Sequence, residues 1–169
     1  GEYLEVMASR SQGTSVKVHD ARVESLTSSV TASLGIRVVV DGRVGFAHAG
    51  SLAADVVADT LAQARQNVAF SEVDPHLALA EPDGVAVVGQ PELRNNLVAA
   101  IDIDDKVTRA LELERLSAEA DARITGVRVA SYADGWGSSA LASTAGIEVA
   151  SSGSHCSAST QPLAVADGE

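Results

Sequence analysis

The chain opens with long runs in which apolar and polar residues alternate. Leu4, Val6 and Ala8 share one face of the run from Tyr3 to Arg10, Gly13 breaks that run, and Val16 and Val18 then alternate with Ser15, Lys17 and His19. From Leu26 the pattern is regular: Leu26, Ser28, Val30, Ala32, Leu34 and Ile36 take even positions, and Thr27, Ser29, Thr31, Ser33 and Arg37 odd ones. A period of two predicts a half-buried strand. Val23 stands in the opposite phase, which predicts a bulge near Glu24–Ser25. Asp41-Gly42 predicts a tight hairpin turn, because both central residues of such a turn need positive φ. The run from Arg43 to His48 then pairs back onto the strand before it.

The period changes over 51–69. Ala53, Val57, Leu61, Ala64 and Val68 fall on one helical face, with Ser51 as the expected cap. Pro75, Pro82, Gly84, Gly89 and Pro91 mark a connector, with one short strand expected at Val85–Val88. A second helix is predicted from Asp104 to Ala122, its two leading acids suiting the positive helix end. Val107, Ala110, Leu111 and Ala118 form one stripe, and Leu113, Leu116 and Ala120 widen it, so both sides are expected to be covered. After Ile124 the period returns to two. Turns are expected at Asp134-Gly135-Trp136-Gly137 and at Ala145-Gly146, with antiparallel strands running on to Val165. Blocks of strands in place of strict βαβ alternation predict an α+β fold, antiparallel β-ribbons packed with two main helices. The expected organisation is a β-ribbon plus helix region over 1–70, a connector over 71–100, and a helix with antiparallel strands over 101–169, the start of a middle domain.

Composition narrows the function. The 169 residues carry 12 Lys and Arg against 23 Asp and Glu, a net charge of −11. Such a chain is repelled by phosphate backbones, so direct nucleic-acid binding is not expected, and an anionic membrane surface fits no better. With 29 Ala and 22 Val, the core is built from small side chains. No apolar run reaches the roughly 18 residues of a membrane span. The lone Cys156 excludes an internal disulfide and makes the cytoplasm the expected compartment. No signal peptide is recognisable, and Gly1 reads as a trimmed or tagged start.

Candidate chemistry is sparse. His19, His48, His76 and His155 show no H-E-x-x-H spacing. His155 and Cys156 are neighbours on a predicted strand and point to opposite faces, which does not suit one metal. Asp102, Asp104 and Asp105 lack calcium-loop spacing and read as a helix start. No phosphate-binding glycine loop or nucleophile elbow is present, and Cys156 has no basic neighbour in sequence to lower its pKa. The residues alone give no catalytic, cofactor-binding or metal site.

Several segments together resemble the TldD/TldE (PmbA) family, whose members carry the label modulator of DNA gyrase. The resemblance rests on Gly13-Thr14-Ser15-Val16-Lys17-Val18 with Arg22-Val23-Glu24-Ser25, on the box Gly35-Ile36-Arg37-Val38-Val39-Val40-Asp41-Gly42-Arg43-Val44-Gly45-Phe46-Ala47, and on Asp121-Ala122-Arg123-Ile124. The family box has the form G-x-R-V-x-x-D-G-x-x-G-F-A, so Gly35, Arg37, Asp41, Gly42, Gly45 and Phe46 are expected to serve the fold. The Glu81-Pro82 connector and the absent zinc motif lean towards the TldE/PmbA branch. The resemblance implies the N-terminal portion of one subunit of a cytosolic zinc metallopeptidase system acting on flexible peptides, with a scaffold and partner- or peptide-binding role. It implies no cofactor in this chain, zinc only in a TldD-type partner, and a family C-terminal domain lying past Glu169. Pairing with a TldD-type paralogue, or self-association, is the implied assembly. The competing readings are a fragment of the catalytic TldD-type enzyme and a non-proteolytic protein-binding regulator of gyrase. Enzyme class therefore rests on resemblance, since no catalytic motif stands in this chain.

Overall fold

A computed structural model describes residues 1–84 and 93–166; the strand expected at Val85–Val88 lies outside the described residues. The strands are β1 (Glu2–His19), β2 (Arg22–Val40), β3 (Arg43–Ala49), β4 (Ile124–Ser143) and β5 (Glu148–Ala164). The helices are α1 (Ala54–Asn67), continued by a 3-10 turn over Val68–Phe70, α2 (Asn96–Ala100) and α3 (Ile103–Glu119). The strands form one five-stranded antiparallel sheet in the order β3-β2-β1-β4-β5. The α+β expectation holds.

The chain divides into two compact units, and β1, β2, β4 and β5 each run through both. The first unit comprises Gly1–Ser11, 31–84 and Gly137–Ser152. Its core joins Leu34, Ile36, Val38 and Ala47 of the sheet to Ala64 of α1, with Leu4, Val6, Ala8, Val57, Leu61 and Val68 packed around them. Of the expected stripe of α1, Ala64 is buried and Val57, Leu61 and Val68 pack beside it, while Ala53 is exposed. Its start differs: Ala53 stands at the N-cap without a side-chain bond, and the Ser51 hydroxyl accepts from the Ala53 N–H at 3.2 Å. The second unit comprises Gln12–Val30, 93–136 and 153–166. Val16, Val18, Val127, Ala130 and Tyr132 pack there against Ala110 of α3, with Val107, Leu111 and Leu113 beside them. Burying a Val or Ile side chain of this kind contributes about 1.5–3 kcal/mol.

Four expectations are corrected. β1 runs unbroken through Gly13, and β4 through Asp134-Gly135-Trp136-Gly137. Gly135 is there for closeness, not for a turn: a Cβ on it would stand 2.7 Å from the Gln12 carbonyl oxygen of β1. The alternation from Leu26 to Ile36 is a strand, but only its second half is half-buried. Leu34 and Ile36 are buried in the first unit's core, whereas Leu26 and Val30 are 41% and 61% exposed and stand outside the core cluster of the second. α3 is covered on one side only: Leu116, Ala118 and Ala120 are exposed. Its first turn is capped by Asp102, whose carboxylate accepts from the Asp105 N–H at 2.8 Å.

Candidate functional site

The glycine–arginine box occupies the β2–β3 hairpin of the first unit. Arg37 pairs with Phe46 and Gly35 with His48 in antiparallel register. Gly35 leaves room for the Phe46 ring, which would touch a Cβ placed there at 3.4 Å. Asp41 and Gly42 form the hairpin turn with φ of 48° and 75°. The turn is held from outside: the Gly42 carbonyl accepts from the Asp74 N–H at 2.7 Å, the Ser71 hydroxyl accepts from the Val44 N–H at 2.9 Å, and the Ser71 carbonyl accepts from the Arg43 guanidinium. Gly45 lies under the C-terminal end of α1, and the Phe46 carbonyl accepts from the Asn67 amide at 2.8 Å. A valine at Gly42 would need the left-handed φ and would set its Cβ 3.0 Å from the Asp74 carbonyl oxygen. Gly42→Val is therefore expected to lower stability by about 1–3 kcal/mol, read as a lower denaturation midpoint.

Strand alternation sends the odd residues of β1 and β2 to the face opposite α1. Tyr3, Met7 and Phe46 are half exposed on the strands there, and Phe46 stacks with His48 at a ring separation of 6.1 Å. Arg37 crosses this face to Glu5 at 2.9 Å, and its Nε is buried without a hydrogen-bond partner. A shallow, mainly apolar depression of about 440 Å³ surrounds the pair, lined by Met7, Leu141, Phe46 and His48 among others. The sequence pattern marked Arg37 as polar-facing; Glu5 as its partner was not legible, because it lies on another strand.

The second unit holds a polar cluster that periodicity did not single out. Lys106 of α3 is buried and donates to Asp134 of β4 at 2.8 Å and to the Thr14 hydroxyl at 3.3 Å. The other Asp134 oxygen accepts from the Tyr132 hydroxyl at 3.2 Å. Burial, reinforced by the Asp134 charge, pushes the Tyr132 hydroxyl above its ordinary pKa. Two turns further along α3, Glu114 is buried and accepts from the Ala21 N–H at 2.9 Å. Spacing gave a signal: Lys106, Ala110 and Glu114 are four apart and share one helix stripe.

The histidines are dispersed. His19 contacts the Val127 carbonyl at 3.1 Å and Asp20 at 3.6 Å, His48 lies on Phe46, and Cys156 is exposed. Among the described residues no three His, Cys, Asp or Glu side chains gather as metal ligands. Among the described residues no helix is long and apolar enough to cross a membrane.

Residues 4–68 match the family model described as PmbA/TldA metallopeptidase domain 1, and residues 96–169 match the PmbA/TldA metallopeptidase central domain. No curated protein matches the chain. Among solved structures, TldE from Thermococcus kodakarensis is 19% identical with a TM-score of 0.85, over 99% of this chain and 37% of that one. A candidate modulator of a DNA gyrase from Thermotoga maritima is 16% identical with a TM-score of 0.82, over 99% and 37%. A candidate modulator of DNA gyrase from Bacteroides thetaiotaomicron is 23% identical with a TM-score of 0.80, over 99% and 38%. The chain thus spans less than two-fifths of the length of each. At these identities the likeness is one of fold.

Proposed function

Since this chain belongs to the PmbA/TldD metallopeptidase family, we propose that it is the N-terminal portion of a TldE-like subunit in a cytosolic zinc metallopeptidase system. Its role is scaffold and binding surface for a TldD-type partner and for flexible peptide substrates. The observation that carries this reading is the pair of family domains in their order along the chain. The face around Arg37 and Phe46, with Tyr3 and Met7 half exposed, supports a partner surface. Hydrolysis of a peptide needs an activated water or nucleophile. The reading assigns that group, with its zinc, to the TldD-type partner.

The test measures zinc content and cleavage of an unstructured peptide, for the chain alone and for the chain with a TldD-type paralogue. Chelator-sensitive cleavage is expected only with the paralogue. Stoichiometric zinc in the chain alone, or cleavage by it, would place it in the catalytic branch. Co-purification with gyrase and not with the paralogue would favour the regulator reading, which the descriptions of two similar structures as candidate gyrase modulators suggest.

A further inference from the structure

β5 is the last strand of the sheet, so its outer side meets no further strand. Two bonds show which of its groups face outward. The Val165 N–H donates to the Arg123 carbonyl at 2.9 Å, on the β4 side, and the Ser154 N–H donates to the Leu93 carbonyl at 2.9 Å, on the outer side. Backbone groups of a strand alternate in direction, so odd residues of β5 face β4 and even residues face outward. Cys156, Ala158, Thr160 and Pro162 therefore line the outer edge, and residues 155–164 are all exposed.

This edge is bounded at both ends. Ser154 is engaged by Leu93, and Pro162 has no N–H to offer. Between them Cys156, Ala158 and Thr160 present backbone groups that, among the described residues, nothing outside the sheet bonds. The opposite edge differs: on β3 the Val44 N–H and the Phe46 carbonyl are bonded by Ser71 and Asn67. Charged guards of a bare edge are missing as well, since residues 149–165 include no Asp, Glu, Lys or Arg.

Such an edge takes another strand. Ordering a flexible peptide costs more per residue than a main-chain hydrogen bond returns in water, and Ser157, Ala158 and Ser159 bring little apolar area to add. A strand already held in a sheet incurs no such cost, and the chain itself supplies one that matches. Antiparallel pairing about a twofold axis at Ala158 sets Cys156 of one copy opposite Thr160 of the other, and Ser157 opposite Ser159. At both ends Pro162, which lacks a donor, falls opposite Ser154, whose donor is taken. The open run is thus symmetric about Ala158, and the side chains that meet are small and uncharged.

We infer that β5 pairs edge to edge with β5 of a second copy of this chain, antiparallel and centred on Ala158. The inference is independent of the proteolytic reading, because it needs no metal and no cleavage. The contact is small, so the dimer is expected to be weak and concentration-dependent. Each copy carries −11, so added salt is expected to strengthen it by screening their repulsion.

Sedimentation velocity over a concentration series reads the dimer, and a disulfide reads its register. In the double variant Cys156→Ser, Ala158→Cys, the introduced thiols lie on the twofold axis with Cα atoms about 5.5 Å apart, within disulfide range, and mild oxidation is expected to give a covalent dimer. The native Cys156 residues are four positions out of register, roughly 14 Å apart, so the unsubstituted chain is expected not to cross-link. Ala158→Pro removes an N–H that β4 does not use and is expected to weaken the dimer at least about tenfold, with the unfolding midpoint unchanged. Ala158→Lys sets like charges opposite one another and serves if the proline variant folds poorly. A monomer at every concentration, an undiminished dimer in a folded variant, or equal cross-linking through the native Cys156 would overturn the inference. So would an unstructured peptide that binds a monomeric chain and is lost with Ala158→Pro, since a free peptide would then be the occupant.

Discussion

Asp134→Ala is expected to lower the stability of the chain by about 3–5 kcal/mol, a large fraction of what a domain of this size possesses. Asp134 and Lys106 are only 4% and 6% exposed, so neither charge has water to fall back on. Removing the carboxylate leaves the Lys106 ammonium buried with only the Thr14 hydroxyl at 3.3 Å, and the Tyr132 hydroxyl without its acceptor. Desolvation of a lone charge then exceeds anything the remaining contacts return. Replacing both partners separates the pair's worth from the cost of orphaning one of them. Lys106→Met with Asp134→Leu keeps volume and leaves no buried charge, so it is expected to recover most of the loss. Chemical denaturation of the two variants checks this. Equal destabilisation by the single and double changes would show that the cluster contributes through its shape, not its charge.

The same cluster shows what the sequence could not convey. Period-two and helical spacing located the ribbons, α1 and α3, because each is set by neighbours a few residues apart. The hairpin at Asp41-Gly42 was legible for the same reason: its positive φ is a local demand that two residues announce. Lys106, Asp134 and Thr14 meet only in the folded sheet, so nothing local links them. The reading of Asp134-Gly135-Trp136-Gly137 as a turn failed through a related ambiguity. Glycine signals either positive φ or close approach, and only the position of Gln12 across the strand shows that Gly135 answers the second need. Leu26 and Val30 alternate as faithfully as Leu34 and Ile36, yet remain exposed. Alternation reports which face is apolar, not whether that face is covered. At the candidate site, the box residues were named from their pattern, while Glu5 as the partner of Arg37 depends on which strands lie beside one another.

Gly45→Ala carries the second large effect, and here one methyl group suffices. A Cβ on Gly45 would sit 1.9 Å from the Ala64 carbonyl oxygen, 2.7 Å from the Val68 nitrogen and 2.8 Å from a Val68 methyl. Two of these three are backbone atoms of α1 and its continuation, so no side-chain rotation relieves the clash. The helix end must move away from β3 by more than an ångström. That movement opens the contact of Ala64, which is fully buried, with Ile36, Val38 and Ala47. It also strains the bond from the Asn67 amide to the Phe46 carbonyl. Overpacking in a close-fitted core costs about 1–3 kcal/mol and more where backbone must shift, so a loss of about 3 kcal/mol or greater is expected. Hydrogen exchange provides the local readout: amides of α1 are expected to lose protection, while those of α3 in the other unit keep theirs. Gly50→Ala is the control, because a Cβ there meets nothing within 4 Å. It is expected to leave the denaturation midpoint unchanged within error. Equal stability of Gly45→Ala and Gly50→Ala would mean that α1 is not seated on β3 as described.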